Sequence, residues 1–396
     1  MDLRETIRSR ASALHEEIRS IRQHLHMHPE LSFQEEKTSA FIREELEKIG
    51  ITDIEKKAGT GWVALIKGKN ATKKIVALRA DIDALPIHEK NDVPYKSRNE
   101  GVMHACGHDV HTSCLLGAIR ILNELKDQFE GSIKVLFQPG EERLPGGASL
   151  MIEEGALKNP EPSGILGQHV MPLLPVGTVG FRSGLYMAST DELYVKVKGK
   201  GGHGAMPHMN IDPVLIASNI IVSLQQLVSR RANPIIPTVL SFGKVIANGS
   251  TNVIPDEVYM EGTFRTLDEN WRSQAHSLMK NMAEQLAASM GGSCEFEIRK
   301  GYPFLKNDEE LTARAREMAA AYLGAENVID LEIWMAAEDF SYYSQVMPAC
   351  FYRLGTRNEA KGIVSGVHTP TFNIDEDALK IGSGLMAWLA VSELSA

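Results

Sequence analysis

Short apolar runs alternate with helical stretches over the first half of the chain. KKIVALRA (73–80), SIKVLFQP (132–139) and SGILGQHV (163–170) are rich in β-branched residues and have the length of buried strands. Between the first two, DVHTSCLLGAIRILNELKDQF reads as a helix. Residues 2–25 and 35–49 also predict helices; in the second, Phe41, Ile42, Leu46 and Ile49 recur at helical spacing and Gly50 supplies the stop. This alternation predicts an α/β domain around a mostly parallel central sheet.

The pattern changes near residue 185. ELYVKVKG is a strand with polar alternation, DPVLIASNIIVSLQQLVSR a helix, PTVLSFGKVIA and DEVYMEGTFRTL two strands, NWRSQAHSLMKNMAEQLAASM a helix and SCEFEIRKGY a last strand. That order, β-α-β-β-α-β, is the ferredoxin-like split unit, and its roughly 110 residues suffice for a domain. After Pro303 the first pattern resumes with helix DEELTARAREMAAAYLG, strand ACFYRLGT and a closing helix IDEDALKIGSGLMAWLAVSEL. The expected organisation is one α/β domain, 1–184 and 299–396, interrupted by an inserted domain, 185–298. No internal repeat or low-complexity segment interrupts it.

Composition narrows the function classes. The 396 residues are 43% hydrophobic and 23% charged, the balance of a globular protein with real cores. Lysine plus arginine total 42 against 51 acidic residues, a net charge of −9, and no basic run offers itself to nucleic acid. No stretch approaches the about 18 apolar residues of a membrane span, and the charged start lacks a signal-peptide core, so a cytoplasmic protein is expected. The four cysteines, Cys106, Cys114, Cys294 and Cys350, lie far apart and do not form a paired C-x-x-C pattern.

Ligands bind at the carboxyl ends of strands in open α/β sheets, so the residues just after each apolar run are the informative ones. IVALRA runs into Asp81 and Asp83, SIKVLFQP into Glu141 and Glu142, and GILGQ into His169. MHACGHDVHTS (103–113) adds His104, Cys106, His108 and His111, with Asp109 placed to cap the helix that follows. Thiolate, imidazole and carboxylate are the side chains that bind zinc and similar ions. Cys106 and His108, two apart across Gly107, can point the same way. Of the adjacent pair Glu141–Glu142, one can coordinate while the other moves a proton, the division that metal-assisted hydrolysis needs. Alone, CGH or a glutamate pair means little; their coincidence after strands carries the reading. HLHMHPE (24–30) sits at a helix end before a proline and reads as structural, and His15, His88 and His276 show no partners.

With these residues in hand, the sequence resembles the metal-dependent amidohydrolases of the aminoacylase, hippurate hydrolase and auxin-conjugate hydrolase group, relatives of the zinc aminopeptidases and carboxypeptidases. RADIDALPI, MHACGHDVHT, FQPGEE, GKGGHGAMPH, NVIPDE, GTFRT, EDFSYY and GVHTPTF stand in the family's order. The resemblance implies a zinc-exopeptidase-like catalytic domain with a ferredoxin-like lid that also dimerises. It further implies that Cys106, His108, Glu142, His169 and His368 hold two divalent ions, zinc foremost, with manganese or cobalt as alternatives. Glu141 would be the general base and Asp83 the acidic residue that orients the site; Asp81 stands where peptidase relatives place a metal-binding histidine and is left out of the ligand set. His203 would reach the reacting carbonyl across a homodimer, and Asn252 and Arg265 would hold the substrate carboxylate. One departure is visible: QPGEERLPGGAS replaces the group's more usual QPAEEGGGGA at the pocket wall.

The implied activity is hydrolysis of N-acyl amino acids to a free amino acid and a carboxylic acid. A dipeptidase or carboxypeptidase with the same metal chemistry is the nearest alternative. A non-catalytic relative would have lost the base or a ligand, and here all six positions are filled.

Overall fold

The computed structural model describes residues 2–396. The chain forms two compact units: one runs to Tyr186 and resumes over Lys306–Ile333 and Asp339–Ala396, and the other comprises Met187–Leu305 and Trp334–Glu338.

The first unit is built on an eight-stranded sheet in the order Ile54–Lys57, Gly61–Lys67, Ser132–Gln138, Ile75–Asp81, Ile165–Pro175, Ala349–Arg357, Val179–Phe181, Val328–Asp330. The four central strands run parallel, but the flanks break the expectation of a mostly parallel sheet. Ile54–Lys57 and Gly61–Lys67 are antiparallel to their neighbours, and so is Val179–Phe181 to Ala349–Arg357. The sheet is mixed. The cause is local: Ala58 and Gly59 both take positive φ, making a hairpin turn that returns the chain beside itself, whereas a parallel pairing would need a crossover.

The strands Ile75–Asp81 and Ser132–Gln138, which lead into the site, are buried on both faces, which is why they read as largely apolar runs. Helices His108–Glu124 and Asp377–Ser395 cover the sheet with almost wholly buried sequences. The stretch expected as one helix over 2–25 is two, Leu3–Ala13 and His15–Met27, and Glu36–Ile49 ends on Gly50 in the left-handed region.

The second unit has four antiparallel strands in the order Thr238–Ile246, Glu257–Thr266, Asp191–Lys198, Ser293–Lys300. Helices Pro213–Gln226 and Glu269–Ser289 bury Ile216, Ile220, Ala275 and Met279 against Leu193, Val195, Met260 and Phe264. Asp212 and Asp268 cap the two helices through their side chains. His276, for which the sequence offered no partner, sets Nε2 2.6 Å from Asp191 Oδ2, beside the buried Arg272–Asp191 pair. Among the described residues no helix is long and apolar enough to cross a membrane, and all four cysteines are free.

Candidate metal and catalytic site

Three adjacent strands and one loop deliver the polar residues of the first unit. Asp81 closes the strand Ile75–Asp81, Glu141 and Glu142 follow Ser132–Gln138, and His169 lies within Ile165–Pro175. Cys106 ends a loop that turns at Gly107 into the helix beginning with His108. His368 comes from far along the chain, yet its N–H donates to the carbonyl of Ala105 at 2.7 Å, fixing it beside that loop.

These side chains converge. Cys106 Sγ lies 3.4 Å from His169 Nε2 and 3.3 Å from His368 Nε2. Glu142 Oε1 is 3.2 Å from His368 Nε2 and 4.0 Å from His108 Nε2. Three overlapping triplets, Cys106–His108–His169, Cys106–Glu142–His368 and His108–Glu141–Glu142, each hold their ligand atoms within 4.8 Å. The five residues that the resemblance names as ligands are therefore brought together, with Glu141 among them.

The donors fit a pair of cations. His108 Nε2 is buried and has no hydrogen-bond partner, a costly state unless something else satisfies it, and buried Glu142 Oε1 has only the His368 imidazole beside it. Asp83 Oδ1 takes Nδ1 of His108 at 3.1 Å, and the Val170 carbonyl takes Nδ1 of His169 at 2.8 Å, so each ring turns Nε2 toward the centre. Burial opposes charge on His108, but Asp81, Asp83 and Glu142 overrule it and raise its pKa to about 10. The surrounding carboxylates thus demand positive charge at His108, from a proton or a metal ion. Burial first, then Arg353, keeps His169 well below the usual histidine range and hence neutral, the form that ligates.

Asp83 also holds the glutamate loop: its Oδ2 accepts from the Glu142 N–H at 3.0 Å and from Ser32 Oγ at 2.6 Å. Glu141 is buried, and its Oε1 accepts from the Asp339 N–H at 3.4 Å. Beneath the site Arg79 donates to Asp81 Oδ2 at 2.6 Å and Asp339 Oδ1 at 2.7 Å, and Gln138 and the Ala148 N–H also bind Asp339. Sequence reasoning missed Arg79, Gln138 and Asp339. Their signal was an arginine inside an otherwise apolar strand, which a buried position tolerates only with partners.

Asp109 does not cap its helix. The N-cap is Gly107, and Asp109 Oδ2 instead receives Arg22 Nε and His26 Nδ1, each at 2.8 Å, in a fully buried cluster. His26 of HLHMHPE thus anchors the first helices to the ligand loop, and His24 stacks on Phe41. Gly107 is required by its φ of +83°, and a Cβ there would lie 2.6 Å from a Val170 methyl. Gly107→Ala is expected to weaken metal binding at least tenfold, since strain and clash fall between Cys106 and His108, two of the candidate ligands; equilibrium dialysis against a chelator-buffered metal series measures it.

The model of peptidase family M20/M25/M40 matches residues 77–391. The chain belongs to this family. It is 42% identical to N-acetyl-L-cysteine deacetylase of Bacillus subtilis, covering 93% of this chain and 86% of that one. It is 39% identical to thermostable carboxypeptidase 2 of Saccharolobus solfataricus, over 99% of both. Among solved structures, Bacillus subtilis YXEP protein, described as a dinuclear metal binding peptidase from the M20 family, superimposes with a TM-score of 0.82 at 38% identity, over 97% of this chain and 99% of that one.

The second unit of this M20 chain carries the remaining expected residues. His203 and Asn252 come together on a small two-stranded ribbon, where Gly202–His203 pairs with Val253–Ile254 and the Gly204 N–H donates to the Asn252 carbonyl at 2.8 Å. Both side chains are exposed. Arg265 is elsewhere. The ribbon is tied to Asp256, just before the strand Glu257–Thr266, and Arg265 lies near that strand's other end, roughly 30 Å along at 3.3 Å per residue. It is half-buried, donates Nη1 to the Met335 carbonyl at 3.0 Å, and burial lowers its pKa.

Proposed function

We propose that this M20 enzyme hydrolyses the amide bond of N-acyl amino acids, releasing a free amino acid and a carboxylic acid. The observation that carries the reading is a buried carboxylate, Glu141, set among five convergent side chains of the kinds that bind metal ions. The deacetylase named among its relatives supplies the substrate class.

Cys106, His108, Glu142, His169 and His368 would hold two divalent ions, zinc foremost because a thiolate is among the donors, with manganese or cobalt as alternatives. Such ions supply Lewis acidity to a water and to an amide carbonyl. Glu141 takes the proton from the attacking water and returns it to the leaving amine. Asp83 keeps His108 oriented and the Glu142 backbone in place. Arg265 binds the free α-carboxylate of the substrate, for which a guanidinium offers two parallel donors, while Asn252 and His203, which lie together and far from Arg265 of their own chain, are brought by the other subunit of a homodimer, Asn252 to the same carboxylate and His203 to the oxyanion.

The second unit is then a ferredoxin-like lid and dimerisation domain over 185–298, inserted in a zinc-exopeptidase-like catalytic domain of 1–184 and 299–396. Its strand-helix-strand-strand-helix-strand order supports this, as do the exposed Val222, Ile235 and Val245. A cytoplasmic location completes this reading, and the net charge of −9 favours small-molecule substrates over nucleic acid.

The related carboxypeptidase keeps a second reading open, cleavage of unblocked peptides. One panel separates them: chelator-stripped protein, reloaded with zinc, manganese or cobalt, is assayed on N-acetyl and N-benzoyl amino acids and on dipeptides. Faster cleavage of the N-acyl series is expected. Dipeptides as the better substrates would move the assignment to a peptidase.

A further inference from the structure

His111 lies one helical turn beyond His108 and is fully buried, yet nothing above gives it a task. Its ring faces two ways. Nε2 accepts the Val170 N–H at 2.9 Å, and Nδ1 lies 2.6 Å from Asp81 Oδ1. An amide N–H can only donate, so Nε2 is the unprotonated nitrogen and Nδ1 carries the hydrogen given to Asp81. Neither nitrogen has a lone pair left for a metal ion, although Asp81, His108 and His111 set their ligand atoms within 4.8 Å of one another.

Each arm of the ring ends on a part of the metal site. Val170, whose N–H is held by His111, uses its carbonyl to fix Nδ1 of His169. The His111 and His169 rings stand 4.5 Å apart between centroids, so the segment cannot shift without the ring. On the other side Asp81 Oδ2 is 3.7 Å from the unpartnered His108 Nε2, close enough for that carboxylate to join an ion bound there. It is held back: Oδ1 is engaged by His111 and Oδ2 by Arg79 at 2.6 Å, and Thr112 Oγ1 donates to the Asp81 carbonyl at 2.8 Å.

We propose that His111 is the positioning residue of the metal site, one ring that holds His169 in ligating orientation and keeps the Asp81 carboxylate beside the ions without letting it bind them. The proposal rests on the ligand reading above. It makes Asp81 a withheld ligand, so this chain's ion preference is set partly by a hydrogen bond that removes a hard oxygen donor from the site.

Two variants divide the ring's two tasks. Asparagine places a donor where Nδ1 is, keeping Asp81 but releasing Val170; glutamine places an acceptor near Nε2, keeping Val170 but releasing Asp81. Dissociation constants for zinc and manganese are measured by chelator competition, with the melting temperature of metal-stripped protein alongside. His111→Asn is expected to weaken both ions about 10- to 100-fold. His111→Gln is expected to raise the manganese-to-zinc affinity ratio about tenfold, a rise that Asp81→Asn in the same background abolishes. Stripped-protein melting within a few degrees of wild type in both variants separates positioning from general loss of fold. Constants within threefold of wild type in either variant, or a ratio change that survives Asp81→Asn, would overturn the proposal. Should the variants fail to fold, nitrogen-15 NMR of histidine-labelled, zinc-loaded wild type decides it. The proposal requires the Nδ1-protonated tautomer of His111, and a metal-bound or Nε2-protonated ring refutes it. A His169→Ala control that binds ions as wild type does would topple the ligand reading first.

Discussion

Glu141→Gln should retain its metal and lose at least about a hundredfold in turnover, the share a positioned general base contributes. The substitution isolates proton transfer. Glutamine has the same length, and its amide oxygen can still accept the Asp339 N–H that Glu141 Oε1 takes at 3.4 Å. What it cannot do is receive a proton from water and pass it on. Metal content, read by elemental analysis of the dialysed protein, should match wild type because the five other side chains remain in place. Full turnover in a metal-replete variant would remove Glu141 from the mechanism, and loss of metal would recast it as a ligand.

Arg79→Met should destabilise the first unit by about 3–5 kcal/mol, the usual consequence of stripping the partner from buried charges. Arg79, Asp81 and Asp339 are all fully buried, and the guanidinium bridges the two carboxylates at 2.6 and 2.7 Å. Methionine fills the stem's volume but leaves both acids facing each other in a low dielectric. Calorimetry of the metal-stripped protein should show the transition of the first unit moved down while that of the second stays. A loss below about 1 kcal/mol would mean that the carboxylates find other partners or protons.

Much of this was legible in the chain, and the reasons are physical. Doubly buried strands such as Ser132–Gln138 announce themselves as apolar runs, and the residues that follow them fall at the site by the rule of open α/β sheets. Cys106 and His108 are close in sequence, so their pairing needed no tertiary knowledge. His368 was different: its loop has no periodicity, it takes a φ of +60°, and only the family resemblance pointed to it. The hairpin at residues 54–67 escaped because its first strand is polar and short, and with it went the mixed character of the sheet. The roles of Asp109 and Arg79 depend on partners dozens to hundreds of residues away, which local pattern does not encode.

The strand Ala349–Arg357 lies between Ile165–Pro175 and Val179–Phe181, so the middle of the sheet is finished by a strand made long after both its neighbours. At 5–20 residues per second, roughly 9–35 s separate the emergence of Phe181 from that of Arg357 on the ribosome. For that interval the nascent chain displays the open edge of Ile165–Pro175, with His169 on it, and well before the interval ends the second unit, contiguous over Met187–Leu305, has gained its strands and helices. The order of synthesis therefore favours a folded insert within an unfinished host, and makes that exposed edge the place where a chaperone has most to protect.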